Sequence, residues 1–457
     1  MSLLEVSDLR TQFYTEEGVV RAVDGLSYQI ERGEKFGVVG ESGAGKSVAS
    51  LSLMRLIDDP GRVADGSIRF YEEEALDTFE ADFPDRTVDV EALRQQHDLV
   101  DLVDRLLEKG ASPSAIADDD RFAPDADART IVRDADLDMR DIVDKRYCVD
   151  LGIVDEDECI VHDGDERYIE ITRADGEPLR RLRGNHIAMI FQDPQTALNP
   201  VYTIGEQISE AIRTHMDLDD DAVRERTVDM LDRVGIPDPE DRYNNYPHEF
   251  SGGMQQRAVI AIALSCDPDL IIADEPTTAL DVTIEAQILD LLDGLSTETG
   301  TAIQLITHDL GVVAGVCDRV AVMYAGKPVE IAPVEDLYYE PKHPYTVGLM
   351  GSIPRIGDGR EELDTIPGTM PDLVEVPPGC SFHPRCPYAE KACTEKEPPL
   401  VDTDTGEIAD PDDHDAHAAA CLEYTGDLEQ GLDYEVVIDE GLETGAGSDT
   451  AGTEEHP

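Results

Sequence analysis

Polar and apolar residues alternate from Leu3 to Tyr14 and again from Val19 to Ile30, the period of two that marks half-buried strands. A third strand, Lys35 to Val39, runs through a glycine-rich turn into an apolar-periodic helix predicted over Ser47 to Ile57. Continuous apolar runs return at Ile187 to Phe191, Leu270 to Ala273, Ala302 to Ile306 and Val320 to Met323, as expected for strands buried on both faces. Residues 1–71 and 179–335 therefore read as one α/β domain built from two stretches of chain. Between them, residues 72–178 follow another rhythm. Val90, Leu93, His97, Val100, Val103 and Leu107 lie at helical spacing, while Ile160 to His162 and Tyr168 to Ile171 flank the turn Asp163-Gly164 as a hairpin. That stretch is expected to form a small inserted lobe. Residues 336–425, rich in Pro and Gly with a group of Cys, read as a second small domain, and residues 426–457 as an acidic tail without fixed structure.

Charge changes the picture of partners. The 457 residues carry 101 acidic and 37 basic side chains, a formal charge of −64, and 34 acidic against 12 basic residues fall within 72–178. Hydrophobic residues make up 40%, enough for sizeable cores, so the acidity sits on the surface and global disorder is excluded. Such a surface repels phosphate backbones, which argues against nucleic acid as a partner. Eight Lys against 29 Arg, with carboxylates spread along the whole chain, read as a halophile's way of staying solvated. No run approaches the roughly 18 to 20 apolar residues that span a bilayer. The opening residues, Met1 to Arg10, lack a signal-peptide pattern, so a cytosolic chain with reduced thiols is expected.

The chemistry starts at Gly40, Glu41, Ser42, Gly43, Ala44, Gly45, Lys46 and Ser47, which fit G-x-x-x-x-G-K-[ST] between a strand and a helix that continues with Val48. In that context glycines let backbone N–H groups wrap a phosphate, Lys46 neutralises the β/γ oxygens and the Ser47 hydroxyl can ligate Mg²⁺. Downstream, the strand from Leu270 ends in Asp274 and Glu275. Two carboxylates closing a buried strand are costly unless a cation or reacting water meets them. Asp274 suits Mg²⁺, and Glu275 suits the base that activates water. Ser251, Gly252 and Gly253 open another helix as a second anion nest, which one nucleotide does not require. That nest is expected to serve another molecule's ATP across an interface.

Taken in order, the phosphate loop, Gln192, Ser251 to Gln255, Asp274 and Glu275, Thr278 to Asp281, and His308 resemble the ATP-binding subunits of ABC transporters. The resemblance implies a mixed-sheet core with an antiparallel β subdomain and a helical subdomain. To these the present chain adds the acidic lobe and the Cys-rich C-terminal domain. It implies that Phe13 stacks on adenine, with Tyr14 as the alternative ring. It also implies that Gln192 couples Mg²⁺ and the lytic water to membrane subunits, that His308 contacts the γ-phosphate, and that Asp281 communicates across a dimer. The stretches Gly40 to Val48, Ile187 to Pro200, Pro247 to Met254 and Lys342 to Thr346 resemble more narrowly the oligopeptide/dipeptide importers, in particular their D-type ATPase subunit. The implied partners are a related F-type ATPase, two transmembrane permeases and an external binding protein, with the chain peripheral on the cytoplasmic face of the membrane. Nickel and sugar importers are related alternatives for the cargo. A soluble ATPase, or an iron–sulfur sensor that uses ATP, is the alternative of another class.

Cys380, Cys386, Cys393 and Cys421 are separated by 5, 6 and 27 residues. Four converging thiols in a reduced compartment suit Zn²⁺ or a [4Fe-4S] cluster, the absence of a C-x₂-C knuckle weakens zinc, and unligated structural thiols are the remaining alternative. Importers with this C-terminal pattern carry an iron–sulfur cluster, so the resemblance implies [4Fe-4S]. Cys148 and Cys159 read as plain buried thiols, and the lobe around them as a solvated elaboration or a docking surface.

Overall fold

A computed structural model describes residues 2–117, 119, 121–278, 280–351 and 366–432. Most of the tail at 426–457 lies outside them. Six strands form a largely antiparallel sheet: β1 (Ser2–Thr15), β2 (Gly18–Glu31), β4 (Gly61–Phe70), β5 (Thr87–Asp89), β6 (Ile160–Asp163) and β7 (Glu166–Glu170), in the order β2-β1-β4-β7-β6-β5. Eight others form the main sheet: β3 (Lys35–Val39), β8 (Ile187–Ile190), β9 (Leu270–Asp274), β10 (Ala302–Thr307), β11 (Arg319–Tyr324), β12 (Lys327–Pro333), β13 (Val401–Asp402) and β14 (Ala418–Ala419). Their order is β13-β14-β12-β11-β3-β10-β9-β8. The stretch β11-β3-β10-β9-β8 is parallel.

The unbroken apolar runs follow from two cores, one on each face of that sheet. Ile271 and Ala273 of β9, Ile303 and Leu305 of β10, and Val320 and Val322 of β11 face the core shared with helices Ile204–His215, Asp220–Arg233, Gly252–Leu264 and Val282–Thr299. The alternate residues Leu270, Ile272, Ala302, Ile306, Ala321 and Met323 face the antiparallel sheet and helix Lys46–Leu53. Each fully buried Ile or Leu here contributes about 1.5–3 kcal/mol relative to exposure. The five parallel strands thereby bring their C-terminal tips to one edge of the sheet, where the phosphate loop leaves β3.

Three sequence expectations need correction. The first helix ends at Leu53 rather than Ile57, because Arg55 turns into the left-handed region at φ 48°. The helical pattern after Val90 is two helices, Val90–Gln96 and Leu99–Glu108. Asp98 separates them and caps the second by accepting from the N–H groups of Val100 and Asp101. The hairpin loop is Gly164-Asp165, one residue later than expected, since Asp163 pairs with Glu166.

Residues 72–178 do bury a hydrophobic cluster of their own, including Val103, Ile131, Val143 and Tyr168. They also continue the antiparallel sheet, for β7 pairs with β4 through Phe70↔Ile169 and Arg69↔Glu170. The buried Glu170 accepts from the Ile68 N–H at 3.0 Å, which ties the junction to β4.

The C-terminal segment is likewise joined to the main sheet, since β14 pairs with β12. At the seam the buried Glu330 accepts from the N–H groups of Lys342 (2.6 Å) and His343 (2.9 Å) and from Nε2 of His417 (2.7 Å). Burial drives the His343 imidazole from 6.5 down to about 4, with the Glu330 charge opposing only in part. Between those values the unfolded chain binds a proton that the folded chain refuses, so stability is full above pH 6.5 and falls as the pH drops towards 4. Thermal midpoints measured across this window are expected to fall less steeply in a His343→Asn variant, which has no ring to protonate.

Candidate active site

The phosphate loop is shaped by two glycines whose positions admit nothing larger. A Cβ on Gly40 (φ 152°) would lie 2.3 Å from the Met323 carbonyl oxygen, and one on Gly45 (φ 102°) 2.1 Å from that of Ala22. The loop is thus pressed between β11 and β2, and its last glycine leads into helix Lys46–Leu53. The first N–H groups of that helix have no acceptor within it and point the partial positive end of the dipole towards the loop.

Lys46 is buried, with Nζ donating to the carbonyl oxygens of Gly40 (2.7 Å) and Glu41 (3.1 Å). Burial lowers its pKa, opposed by the charges of Glu275, Asp274 and Glu41. The ammonium is held ready among acids and partial charges, on loop carbonyls that a phosphate can replace. Ser47 Oγ donates to Asp274 Oδ1 at 3.1 Å. Desolvation, and next the neighbouring Glu275, raise the Asp274 carboxyl, while Ser47 and Lys46 offset this only in part. The Ser47 hydroxyl and the buried Asp274 carboxylate, side by side, are hard oxygen donors of the kind that fits Mg²⁺.

Glu275 follows at the tip of β9 with φ 45°, a strained conformation for a residue with a side chain. Its N–H continues the ladder to Ile306 O at 2.9 Å. Three side chains fix its carboxylate: Thr278 Oγ1 donates to Oε2 at 2.8 Å, Gln192 Nε2 donates to the same oxygen at 2.7 Å, and His308 Nδ1 lies 3.3 Å from Oε1. Desolvation works against its charge, yet the Thr278 bond, His308 and Lys46 outweigh it and hold the carboxyl below its ordinary range. It is a carboxylate at neutral pH. His308 is mostly exposed, 64% for its side chain, beyond its contact with Glu275.

Two of the proposed interface residues are placed by capping. Ser251 caps helix Gly252–Leu264, accepting from the Met254 N–H, and Asp281 caps helix Val282–Thr299, accepting from Thr283 and Ile284. The two helix starts adjoin, since a Cβ on Gly253 would touch Ile284. Among the described residues, Ser251, Gly252 and Gly253 make no hydrogen bond to the phosphate loop of their own chain.

At the other edge, Phe13 shares the face of β1 that carries Thr11, whose hydroxyl meets Ser52 of the loop helix at 2.7 Å. Its ring packs against Gly61, beside Ile57. Tyr14 lies on the opposite face, bonded to Gln12 and covered by Arg62.

Cys380, Cys386, Cys393 and Cys421 are neighbours: the Cys421 thiol is pushed up to about 12 by burial first and then by the other three. Burial likewise pushes Cys386 up to about 11. Among the described residues no group of three or more His, Cys, Asp or Glu side chains is set to hold a metal ion, these thiols included. The expected ligand cluster is therefore not preformed. Sequence reasoning missed Thr278 as the carboxylate's hydrogen-bond donor, and it missed Tyr345 and Arg385, which reach the phosphate loop from the C-terminal segment. Their motifs were visible, but nothing in the spacing said what they touch.

A phosphate loop, a paired carboxylate strand end and a positioned glutamate define a P-loop nucleoside-triphosphate hydrolase. Residues 23–147 and 162–278 match the ABC transporter family, and residues 329–393 match the C-terminal region of oligopeptide/dipeptide transporters. A probable peptide ABC transporter ATP-binding protein of Sinorhizobium fredii is 41% identical over 92% of this chain and 94% of its own. The dipeptide transport ATP-binding protein of Bacillus subtilis is 40% identical over 86% and 88%, and the oligopeptide transport ATP-binding protein of the same organism 38% over 89% and 94%. The chain belongs to the family of ABC transporter ATP-binding subunits. It is accordingly an ATP hydrolase that works with Mg²⁺ and serves transmembrane permeases, and none of its described helices is long and apolar enough to cross a membrane.

Proposed function

We propose that this chain is the D-type ATPase subunit of an importer for dipeptides and oligopeptides, bound at the cytoplasmic face of the membrane. The observation that carries the chemistry is the convergence of Gln192, Thr278 and His308 on the Glu275 carboxylate, one residue from the Ser47–Asp274 pair. The peptide cargo is supported by what the relatives transport and by the match of residues 329–393.

In the cycle proposed here, Phe13 stacks on adenine and Lys46 leaves the Gly40 and Glu41 carbonyls for the β/γ oxygens. Ser47 and Asp274 would hold Mg²⁺, which would supply positive charge to the phosphates. Glu275 takes a proton from the attacking water while His308 and Lys46 stabilise charge on the γ-phosphate. The Ser251-Gly252-Gly253 nest supplies the opposite wall to a companion F-type ATPase's nucleotide, with Asp281 at the contact. Closure of the ATPase pair moves the permeases, and hydrolysis reopens it.

Affinity purification of tagged chain from detergent-solubilised membranes, with mass spectrometry of what is retained, tests the assembly. Two multi-span permeases, a second ATPase and a peptide-binding protein are expected. A nickel- or sugar-binding protein would overturn the cargo, and recovery without any membrane subunit would favour the soluble ATPase.

We also propose that the four C-terminal cysteines take up a [4Fe-4S] cluster. Their mutual proximity and desolvation support it, because bound iron would stabilise thiolates that burial now disfavours. The role is structural or regulatory, as ATP hydrolysis needs no electron transfer. Anaerobically purified protein is expected to contain about four iron and four sulfide per chain. One zinc without sulfide, or neither, would refute the cluster.

A further inference from the structure

Glu41, second in the phosphate loop, is engaged at three points. Its backbone N–H donates to the Tyr345 hydroxyl at 2.9 Å, its carbonyl accepts from Lys46 Nζ at 3.1 Å, and its carboxylate receives both arms of the Arg385 guanidinium at 2.7 and 3.0 Å. Two of these partners come from the C-terminal segment, more than 300 positions away. Arg385 is itself tightly set. Its side chain is only 6% exposed, its Nε donates to the Pro367 carbonyl at 2.8 Å, and its guanidinium lies 5.7 Å from the Tyr324 ring centroid. Tyr324, Tyr345 and Phe382 pack ring to ring beside it, with centroids 4.7 to 5.4 Å apart.

Arg385 stands on the turn that carries the thiols. The Cys386 N–H bonds to Phe382 O, the Arg385 N–H to the same oxygen, and the Cys380 N–H to Cys393 O. A bidentate Arg–carboxylate pair fixes orientation as well as distance, and here the arginine is buried while Glu41 is 31% exposed. The loop's position between β11 and β2 is set by backbone contact, but the orientation of residue 41, and with it the carbonyl that parks Lys46, is set from the C-terminal turn.

We propose that Arg385 is a positioning residue for the phosphate loop, acting through Glu41, so that the cysteine-bearing turn sets the affinity for nucleotide phosphates. The inference rests on the family's ATP chemistry and not on the peptide cargo or the iron–sulfur cluster. It makes the C-terminal segment part of the nucleotide site, touching no phosphate itself.

Titration of the full chain with Mg-ADP tests it. Arg385→Ala is expected to weaken binding roughly tenfold, within the range of such couplings. Arg385→Lys is expected to restore part of the loss, because a point charge remains without the fork. Glu41→Gln leaves the arginine and its packing in place, so it guards against an Arg385→Ala variant that fails to fold, and it should lose about as much. The double variant should be no weaker than either single one, since both remove the same contact. Affinity within twofold of the parent in a folded Arg385→Ala protein, or losses that multiply in the double variant, would overturn the proposal.

Discussion

Replacing Glu275 by Gln is expected to lower the rate of ATP hydrolysis by about 10²–10⁴-fold, the contribution of a positioned general base, while Mg-ATP still binds. The substitution keeps the volume and one carbonyl oxygen. Thr278 Oγ1 and Gln192 Nε2, which both donate to Oε2, can still be accepted by that oxygen. What is lost is the negative charge that Thr278, His308 and Lys46 maintain below the ordinary carboxylate range. An amide cannot take the water's proton. Single-turnover hydrolysis beside equilibrium binding separates the two effects. Retained hydrolysis with a loss of affinity would show that Glu275 serves binding and that another group is the base.

Lys46→Ala is expected to fail earlier, at binding. Removing the cation that would pair with buried phosphate charge costs on the order of 2–5 kcal/mol, so affinity for Mg-ATP should fall by about 30- to 5,000-fold. The variant also removes the ammonium that the charges of Glu275, Asp274 and Glu41 surround, and it leaves the Gly40 and Glu41 carbonyls without that donor. Because Glu275→Gln spares binding and Lys46→Ala does not, the pair of variants assigns phosphate capture and water activation to different side chains. Equal affinity of parent and Lys46→Ala protein for Mg-ATP would contradict that assignment.

Much of the site was legible because phosphate chemistry demands local motifs. Gly40 to Ser47 had to sit between a strand and a helix, and Asp274 and Glu275 had to close a buried strand; β3, helix Lys46–Leu53 and β9 deliver both. The parallel strands were legible for a similar reason, since burial on both faces leaves an unbroken apolar run. Helix ends were less so, because Arg55 adopts a left-handed conformation that no sequence pattern announced. Long-range contacts were not legible at all. Glu41 and Arg385 read as one loop residue and one arginine between cysteines, and only the packing of the C-terminal segment on β12 and β11 brings them together. The four cysteines illustrate the converse. Their spacing pointed to a ligand set, while the folded chain places them as neighbours without a ready-made metal site.

The central claim is that ATP hydrolysis at Glu275 drives peptide uptake. Proteoliposomes would carry this chain, its companion ATPase and the two permeases, with ATP on the ATPase side and binding protein loaded with labelled peptide on the other. The account predicts ATP-dependent accumulation of peptide that stops with Glu275→Gln in this chain. Accumulation that continues with Glu275→Gln, or hydrolysis that never yields peptide uptake, would contradict it.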